Sequence, residues 1–249
     1  MHITFLGTRG YIDARTSKHY YHTATLITYR NKKIMVDCGE DWVKKVWQIK
    51  PDAIVLTHAH PDHAYGLKNG SPCPVYATTT TWQLIKDFLI PEDFRKKIFF
   101  TKPNIIYGVN FKPIKVLHSL KAPAVSFRIS IDKKTFFYSG DIAYLPDQKR
   151  NLKNVSLYIG DGSTVQKTLI SKKYGQIHGH ASVKTQLGWC KKAGIKNAIF
   201  THCGTELVTK FQDNKKYIQK LVLVKKLSAN IACDGLSVKI DAEGSLLWK

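Results

Sequence analysis

The chain has 249 residues, of which 43% are hydrophobic, and this is enough apolar material for a sizeable buried core. Lys and Arg number 39 against 18 Asp and Glu, and the resulting net charge of +21 favours anionic partners such as nucleic acids or phosphorylated substrates. The lysines are spread along the chain, however, so a merely solvated, lysine-rich surface explains the charge equally well, and charge alone identifies no substrate.

The sequence predicts neither a membrane segment nor a disulfide framework. No stretch approaches about 18 uninterrupted apolar residues. The N-terminus, MHITFLGTRG, lacks the basic segment, the long apolar segment and the cleavage site of a signal peptide. The five cysteines form no CxxC pair and are odd in number, which favours free thiols in a reducing, cytoplasmic setting.

The beginning of the chain alternates short apolar runs with turns. Strands are predicted at 2–7, 24–30 and 32–39, with a hairpin turn centred on Asn31. Apolar side chains at helical spacing predict a helix over 41–49. The continuous apolar run at 52–58 then predicts a buried strand.

The middle of the chain is rich in predicted strands. A threonine-capped helix is expected near 79–89. The segments that follow it and predict strands are 97–102, 105–119, 124–131, 133–141 and 156–162. No linker or low-complexity segment interrupts the chain, so we expect one compact α/β domain over residues 1–249.

The last third contains the best predicted helix. It begins at Ser182 and ends at Gly194, which suits a C-terminal cap. A buried strand is expected at 197–202 and a second helix within 206–226. Residues 229–241 predict two short strands around an Asp-Gly turn.

Polar residues fall where apolar runs stop. Five runs each end on a histidine or an aspartate, namely His58, His118, Asp141, Asp161 and His202. Residues at strand ends in a layered α/β fold can converge at one edge of the sheets, where ligand sites usually form. One such coincidence would mean little, whereas five predict a site.

The densest cluster is THAHPDHAYG at 57–66. His58 and His60 are two apart in an extended segment, so both side chains can face the same way. Pro61 suits a first helical position and puts Asp62 and His63 on a first turn, where they can face a second point. Two points about 3.5–4 Å apart suit a two-metal site. Imidazole and carboxylate ligands without cysteine favour zinc, with manganese or iron as alternatives.

This HxHxDH cluster resembles the signature of the metallo-β-lactamase-fold hydrolases. The resemblance extends over nearly the whole chain through ITFLGTRG, IMVDCG, VLHS, YSGD, GHAS, FTHCG and CDGLSVKI. It implies an αββα sandwich, in which two mixed β-sheets pack back to back with helices outside.

The resemblance also implies two metal ions with defined ligands. The first would be held by His58, His60 and His118, the second by Asp62, His63 and His202, and both by a bridging Asp141. A hydroxide bridging the two ions would be the nucleophile, because their charge lowers its pKa toward neutrality.

The segment HGHAS at 178–182 resembles an element of the phosphodiesterase branch, which includes ribonuclease Z and the phosphoribosyl cyclic phosphodiesterases. In that branch the histidine contacts the phosphate and can protonate the leaving oxygen. The expected catalytic residues are therefore His180 and Asp62, the latter also a metal ligand. His178 is assigned no role.

Three features depart from that branch. Ribonuclease Z has a glutamate three residues before the bridging aspartate, where this chain has Tyr138, and the chain has no room for the long arm that grips tRNA. Both differences favour a small or cyclic phosphodiester. The phosphoribosyl enzymes often have an additional cysteine-based zinc site, and without a CxxC pair that match is incomplete.

Other residues are weaker candidates near the expected site. His19 and His22 either touch phosphate at the rim or are ordinary surface or strand residues, and Asp161 could orient a ligand histidine. The basic residues that could attract an anion to the entrance are Arg9, Arg15, Lys18 and Lys121.

The sequence thus predicts a dinuclear zinc-dependent phosphodiesterase that acts on a small or cyclic phosphodiester or nucleotide, with His180 as general acid. The alternative is a ribonuclease acting on RNA, which the charge of +21 supports. A thioester or lactam hydrolase needs no His180, and a non-catalytic nucleic-acid- or metal-binding module would be expected to lose some of the seven ligands. The sequence leaves open whether the protein forms a homodimer.

Overall fold

The computed structural model describes residues 1–240 and 246–248. The strands, numbered along the chain, are β1 (His2–Gly7), β2 (Ala24–Tyr29), β3 (Lys32–Val36), β4 (Ala53–Val55), β5 (Val75–Ala77), β6 (Arg95–Lys97), β7 (Ile105–Ile106), β8 (Val109–Lys115), β9 (Val125–Ile131), β10 (Lys134–Tyr138), β11 (Leu157–Asp161), β12 (Leu169–Lys173), β13 (Gln176–His180), β14 (Asn197–Thr201), β15 (Ser228–Ile231), β16 (Ser237–Ile240) and β17 (Leu246–Trp248). The helices are α1 (Val46–Ile49), α2 (Pro61–Ala64), α3 (Thr79–Leu84), α4 (Gln148–Asn151), α5 (Val183–Ala193), α6 (Thr205–Thr209) and α7 (Phe211–Lys225).

Two mixed sheets contain most of these strands. Among the described residues, the first sheet has the order β17-β16-β1-β2-β3-β4-β5-β6 and the second has the order β15-β14-β11-β10-β9-β8-β7. The remaining strands, β12 and β13, pair only with each other as an antiparallel hairpin. Neighbouring β10, β11 and β14 are parallel, so their C-terminal ends lie at the same edge of the second sheet.

The apolar side chains form three layers of core. One cluster lies between the sheets and includes Phe5 from the first and Phe127 from the second. A second cluster packs α5 and α7 onto the second sheet through Leu187 and Ile218. A third covers the outer side of the first sheet and includes Val46 of α1. This arrangement confirms the αββα sandwich.

Local turn chemistry matches the predictions at two elements. The β2–β3 hairpin turns through Arg30 and Asn31, whose φ angles of 47° and 61° fit a two-residue turn that follows the twist of the strands. Helix α5 begins after Ser182, whose side chain accepts a hydrogen bond from a backbone N–H of the first turn. It ends at Gly194 with φ of 72°.

Several predicted elements are shorter than expected. The helix predicted over 41–49 is only α1 preceded by a single 3₁₀ turn, because Lys44 adopts a left-handed φ of 64°. The helix predicted within 206–226 is divided into α6 and α7 at Lys210, whose φ and ψ of −121° and 45° are not helical. The helix near 79–89 stops at Leu84.

Strand boundaries differ for related reasons. The strand predicted at 32–39 ends at Val36, since Asp37 has a left-handed φ of 61°. The run at 52–58 is a strand only over β4, and Thr57 N–H then bonds the Asp37 carboxylate. Most of 97–102 forms no strand, because Phe99 N–H donates to the side chain of Asn104.

The two short strands predicted within 229–241 are present as β15 and β16, but they do not pair with each other. β15 adds to the second sheet beside β14, whereas β16 adds to the first sheet beside β1. The Asp-Gly turn at Asp234 and Gly235 therefore carries the chain from one sheet to the other. Asp241, the last residue of that predicted segment, lies outside the described residues.

The structure also describes the state of the cysteines and the apolar content of the helices. All five cysteines are free, and four of them are buried. Within residues 1–240 and 246–248, none of the helices has the length and apolar content needed to cross a membrane.

Candidate metal centre

Side chains from several strand ends meet at one edge of the sandwich. The loop after β4 and the short helix α2 hold one group, with Pro61 at the first helical position as predicted. The other side chains follow the strands of the second sheet: His118 follows β8, Asp141 follows β10, and His202 follows β14. Parallel strand ends therefore collect residues that are far apart in the sequence.

One group of donor atoms forms around the first predicted metal position. His60 Nδ1 lies 2.9 Å from His58 Nε2 and 3.2 Å from His118 Nε2. Asp141 Oδ2 lies 3.7 Å from His58 Nε2 and 3.3 Å from His118 Nε2. Three imidazoles and one carboxylate oxygen thus surround a common point.

A second group forms around the other oxygen of the same aspartate. Asp141 Oδ1 lies 2.9 Å from His63 Nε2 and 3.3 Å from His202 Nε2. Asp62 Oδ2 lies 2.8 Å from His202 Nε2 and 3.6 Å from His63 Nε2. The structure therefore brings together all seven residues that the sequence assigned as ligands, with Asp141 shared between two groups.

These groups suit zinc. Donor atoms in a tetrahedral site with bonds of about 2.0–2.1 Å lie roughly 3.3 Å apart, close to the separations seen here. Two buried polar atoms, His63 Nε2 and Asp141 Oδ1, form no hydrogen bond, although they lie 2.9 Å apart. Leaving buried polar atoms unpaired is costly, and a shared cation would remove that cost. Imidazole and carboxylate donors without a thiolate are also a common zinc set.

Metal binding needs neutral imidazoles and ionised carboxylates, and only some of the ligand side chains are already in these states. Burial lowers the pKa of His58 well below its usual range, so the ring is neutral. Burial would raise the pKa of Asp62, but the neighbouring His63 and His202 outweigh it and lower the pKa to about 2. Burial would lower the pKa of His202, yet Asp141 and other carboxylates raise it to about 10. A metal at the second position must therefore displace a proton from His202.

The far nitrogens of the ligand rings are held by residues that the sequence did not assign to the site. His63 Nδ1 donates to Asp37 (2.8 Å), and Thr57 Oγ1 lies 3.0 Å from His58 Nδ1. His118 Nδ1 donates to the carbonyl of Gly179 (3.0 Å). Such contacts fix the tautomer and orientation of a ligand ring. Asp37 could have been found, because it follows a buried apolar run just as His58 does.

Asp161 holds two histidines at once. Its Oδ2 accepts from His180 Nδ1 (2.7 Å), and its Oδ1 lies 3.3 Å from His202 Nδ1. Ser163 Oγ donates to the same Oδ1 (2.6 Å) and lies 2.8 Å from His202 Nδ1. The aspartate is fully buried. It thus links a metal-ligand ring to the ring predicted as the acid, and Ser163 is a further residue that the sequence did not indicate.

Tyr138 does not take part in this network. Its side chain is buried between the sheets, with its hydroxyl 3.4 Å from Thr25 Oγ1. The missing glutamate at that position therefore does not leave His180 without a carboxylate, because Asp161 supplies one from β11.

The weaker histidine candidates lie in different surroundings. His19 is buried, with Nδ1 2.8 Å from Thr8 Oγ1 and its ring against Phe211, so it is part of the packing. His22 is buried beside Asp41. His178 lies on β13 opposite Ser171 of the hairpin.

The predicted basic entrance is only partly basic. Arg9 is 1% exposed and forms an ion pair with Asp41 at 2.6 Å, and Arg15 pairs with the same carboxylate at 3.2 Å. Lys18 lies over the ring of Phe211, and Lys121 is exposed in the loop after His118. Asp41 therefore offsets much of the positive charge expected from the two arginines.

The fold and the donor groups define the class of metal-dependent hydrolases with an αββα sandwich. Residues 32–203 match the sequence model of the β-lactamase superfamily domain, and the chain belongs to this superfamily. The metallo-β-lactamase-fold protein YhfI from Bacillus subtilis superposes with a TM-score of 0.72 and 20% identity, over 95% of this chain and 98% of YhfI.

Three relatives with assigned activities match parts of the chain. Exodeoxyribonuclease WalJ of Streptococcus pneumoniae is 28% identical over 160 residues, which is 57% of this chain and 59% of WalJ. A cGMP-dependent 3′,5′-cGMP phosphodiesterase A of Dictyostelium discoideum is 28% identical over 116 residues, 41% of this chain and 13% of that protein. Ribonuclease Z of Bradyrhizobium diazoefficiens is 36% identical over 70 residues, 26% of this chain and 22% of that enzyme. The chain spans less than two thirds of each relative.

Proposed function

We propose that this protein is a phosphodiesterase that uses two metal ions, with zinc as the expected metal, and that its substrate is a small or cyclic phosphodiester or nucleotide. The observation that carries the proposal is the placement of Asp141, whose two oxygens face two separate groups of donors. Beside them stands His180, held by a buried carboxylate.

The metal ions and His180 would have different roles in the reaction. Two bound metal ions would supply a nucleophile derived from water at neutral pH and would neutralise phosphoryl oxygens. Asp161 occupies Nδ1 of His180, which leaves Nε2 as the nitrogen that can give a proton to a leaving oxygen. Burial would lower the pKa of His180, but Asp161 outweighs burial and raises it, which favours the protonated ring that an acid needs.

The relatives support the same bond type. An exodeoxyribonuclease, a cyclic-nucleotide phosphodiesterase and a ribonuclease all cleave phosphodiesters, although their sugars and bases differ. A thioester or lactam substrate would not need a proton donor held in the position of His180.

The test is a substrate panel with a matched pair of histidine variants. Metal-loaded protein is assayed on bis(p-nitrophenyl) phosphate, 2′,3′-cyclic nucleotides and a structured RNA, using wild type, His180→Ala and His178→Ala. We expect cleavage of the first two substrates. His180→Ala should lose roughly 10²–10⁴-fold with the cyclic nucleotides, whose alkoxide leaving group needs a proton, and little with bis(p-nitrophenyl) phosphate, whose nitrophenolate does not, and His178→Ala should lose neither activity. If fully metallated protein cleaves none of the three, the proposal fails. Thioester cleavage that is unimpaired in His180→Ala would contradict the assignment of the acid.

A nuclease acting on polymeric nucleic acid is the second candidate. The β12–β13 hairpin, which ends at His180, supports it because Lys172, Lys173 and the 86%-exposed Tyr174 lie toward its tip. Lysines next to an aromatic ring can bind the nucleic-acid backbone while the ring stacks on a base. RNA cleavage without cleavage of the small substrates would favour this candidate.

A further inference from the structure

A large pocket opens next to the catalytic edge. It has a volume of about 610 Å³, and His180 and His202 form part of its wall. The loop after β1 approaches very closely there, since a Cβ at Gly10 would lie 3.0 Å from the His202 ring. The pocket therefore borders directly on the proposed acid and on the second metal position.

The position of the acid decides which part of a substrate enters the pocket. In an in-line displacement the attacking and leaving oxygens lie on opposite sides of phosphorus. The proton donor must lie within hydrogen-bonding reach of the leaving oxygen. The group attached to that oxygen then extends into the space bordered by His180, which is this pocket.

The lining indicates the chemistry of that group. Tyr11 and Leu169 present apolar surface at the mouth, being 67% and 55% exposed, and Ile12 adds to the same wall. Glu206 also lines the pocket, where Oε2 accepts from Val165 N–H at 3.1 Å. A carboxylate in the lining disfavours a second phosphate in the pocket, even with Lys167 in the same lining.

We infer that this pocket binds the leaving group of the phosphodiester and that this group is a nucleoside, with its base against Tyr11. The inference rests on the proposed function. A nucleoside combines an apolar, stackable base with neutral hydroxyl groups that a carboxylate can accept from. The volume falls in the range of about 300–1,000 Å³ that small-molecule sites have.

The first arm of the test measures binding without catalysis. Thymidine and adenosine are titrated into metal-free protein, with affinity followed by calorimetry and by ligand-detected NMR, for wild type, Tyr11→Ala, Tyr11→Phe and Tyr107→Ala. Loss of base stacking should weaken binding about tenfold in Tyr11→Ala. Tyr11→Phe should restore binding, and Tyr107→Ala, which changes an exposed tyrosine in the turn between β7 and β8, should leave it unchanged. Equal losses in Tyr11→Ala and Tyr107→Ala would overturn the inference.

The second arm compares leaving groups on the same phosphoryl centre. Metal-loaded protein is given the methyl ester of thymidine monophosphate, and the products are separated. Release of thymidine should exceed release of methanol, and this ratio of products is expected to fall about tenfold in Tyr11→Ala. Nucleoside binding that depends on Tyr11, without cleavage of the ester, would refute the proposed function and leave the nucleoside site standing. Cleavage of the ester with methanol as the main leaving group, together with no nucleoside binding, would refute the site and leave the function standing.

Discussion

Replacing Asp161 by asparagine tests how the metal centre and the acid are coupled. The two oxygens serve different rings, since Oδ2 accepts from His180 Nδ1 at 2.7 Å and Oδ1 lies 3.3 Å from His202 Nδ1. Each oxygen also accepts a backbone N–H, from Ile142 at 3.0 Å and from Ser163 at 2.9 Å. Whichever way the amide of Asp161→Asn turns, its NH₂ group faces one ring nitrogen and one backbone donor.

The size of the effect follows from the bond that is lost. A hydrogen bond to a charged group contributes about 1.5–3 kcal/mol, which corresponds to a roughly 10- to 150-fold fall in kcat/KM. Loss of a partner that orients a metal-ligand histidine costs about 10–100-fold in metal affinity or activity, which is similar. We therefore expect kcat/KM of Asp161→Asn to fall within this range while the fold is retained.

The assay is hydrolysis of a 2′,3′-cyclic nucleotide, whose alkoxide leaving group needs a proton, at saturating zinc, with folding checked by circular dichroism. Asp132→Asn is the matched control, because its carboxylate is 66% exposed and contacts the hydroxyl of Tyr29. If folded Asp161→Asn is as active as Asp132→Asn, Asp161 does not position either histidine and the account of the acid is wrong.

Three further outcomes are expected. Asp37→Ala should weaken zinc binding by about 10–100-fold, measured by chelator competition, because His63 loses its partner at Nδ1; unchanged affinity would contradict this role. Tyr138→Phe should leave kcat for phosphodiester cleavage unchanged, since the tyrosine hydroxyl does not contact His180, and a large fall would reverse that conclusion. Burial lowers the pKa of His19 from 6.5 to about 4, so the unfolded chain takes up a proton first and the free energy of unfolding falls as pH drops from 6.5 to 4. In His19→Gln, the free energy of unfolding measured by denaturation at each pH should fall by up to about 3 kcal/mol less over this range. A pH dependence identical to that of the wild type would refute the assignment.

Much of the metal centre could be predicted because its chemistry is concentrated at strand ends. The cluster at 57–66 combines an extended pair of histidines with Pro61, which starts α2 and turns Asp62 and His63 toward the second position. Buried strands produce continuous apolar runs, so a histidine or aspartate that stops such a run is easily noticed. His118, Asp141 and His202 were all found in this way.

The supporting contacts could not be predicted because they depend on tertiary geometry. Ser163 reaches His202 only after β11 and β14 pair in parallel, and Gly179 reaches His118 across 61 residues of sequence. Gly179 has φ of 114°, and a Cβ there would lie 1.9 Å from the Leu169 carbonyl, so β12 can pair with β13 only if this residue is glycine. Nothing in the local pattern of HGHAS indicated this hairpin.

The helix breaks and the crossing between sheets were missed for a similar reason. Lys44 adopts a left-handed φ although the surrounding segment has helical apolar spacing, and Lys210 divides a segment that could have formed one helix. In both cases packing against the sheets overrides local propensity. The turn at Asp234 and Gly235 has the composition of a hairpin, yet β15 and β16 find better partners in different sheets.

Under the proposed function, phosphodiester hydrolysis needs two metal ions that share Asp141. The most direct measurement is a titration of metal-free protein with zinc, in which hydrolysis of bis(p-nitrophenyl) phosphate is recorded against equivalents of metal bound. The structure predicts little activity at the first equivalent and saturation at two, because both oxygens of Asp141 face complete donor groups. Full activity at one equivalent, or without any metal, would contradict the account.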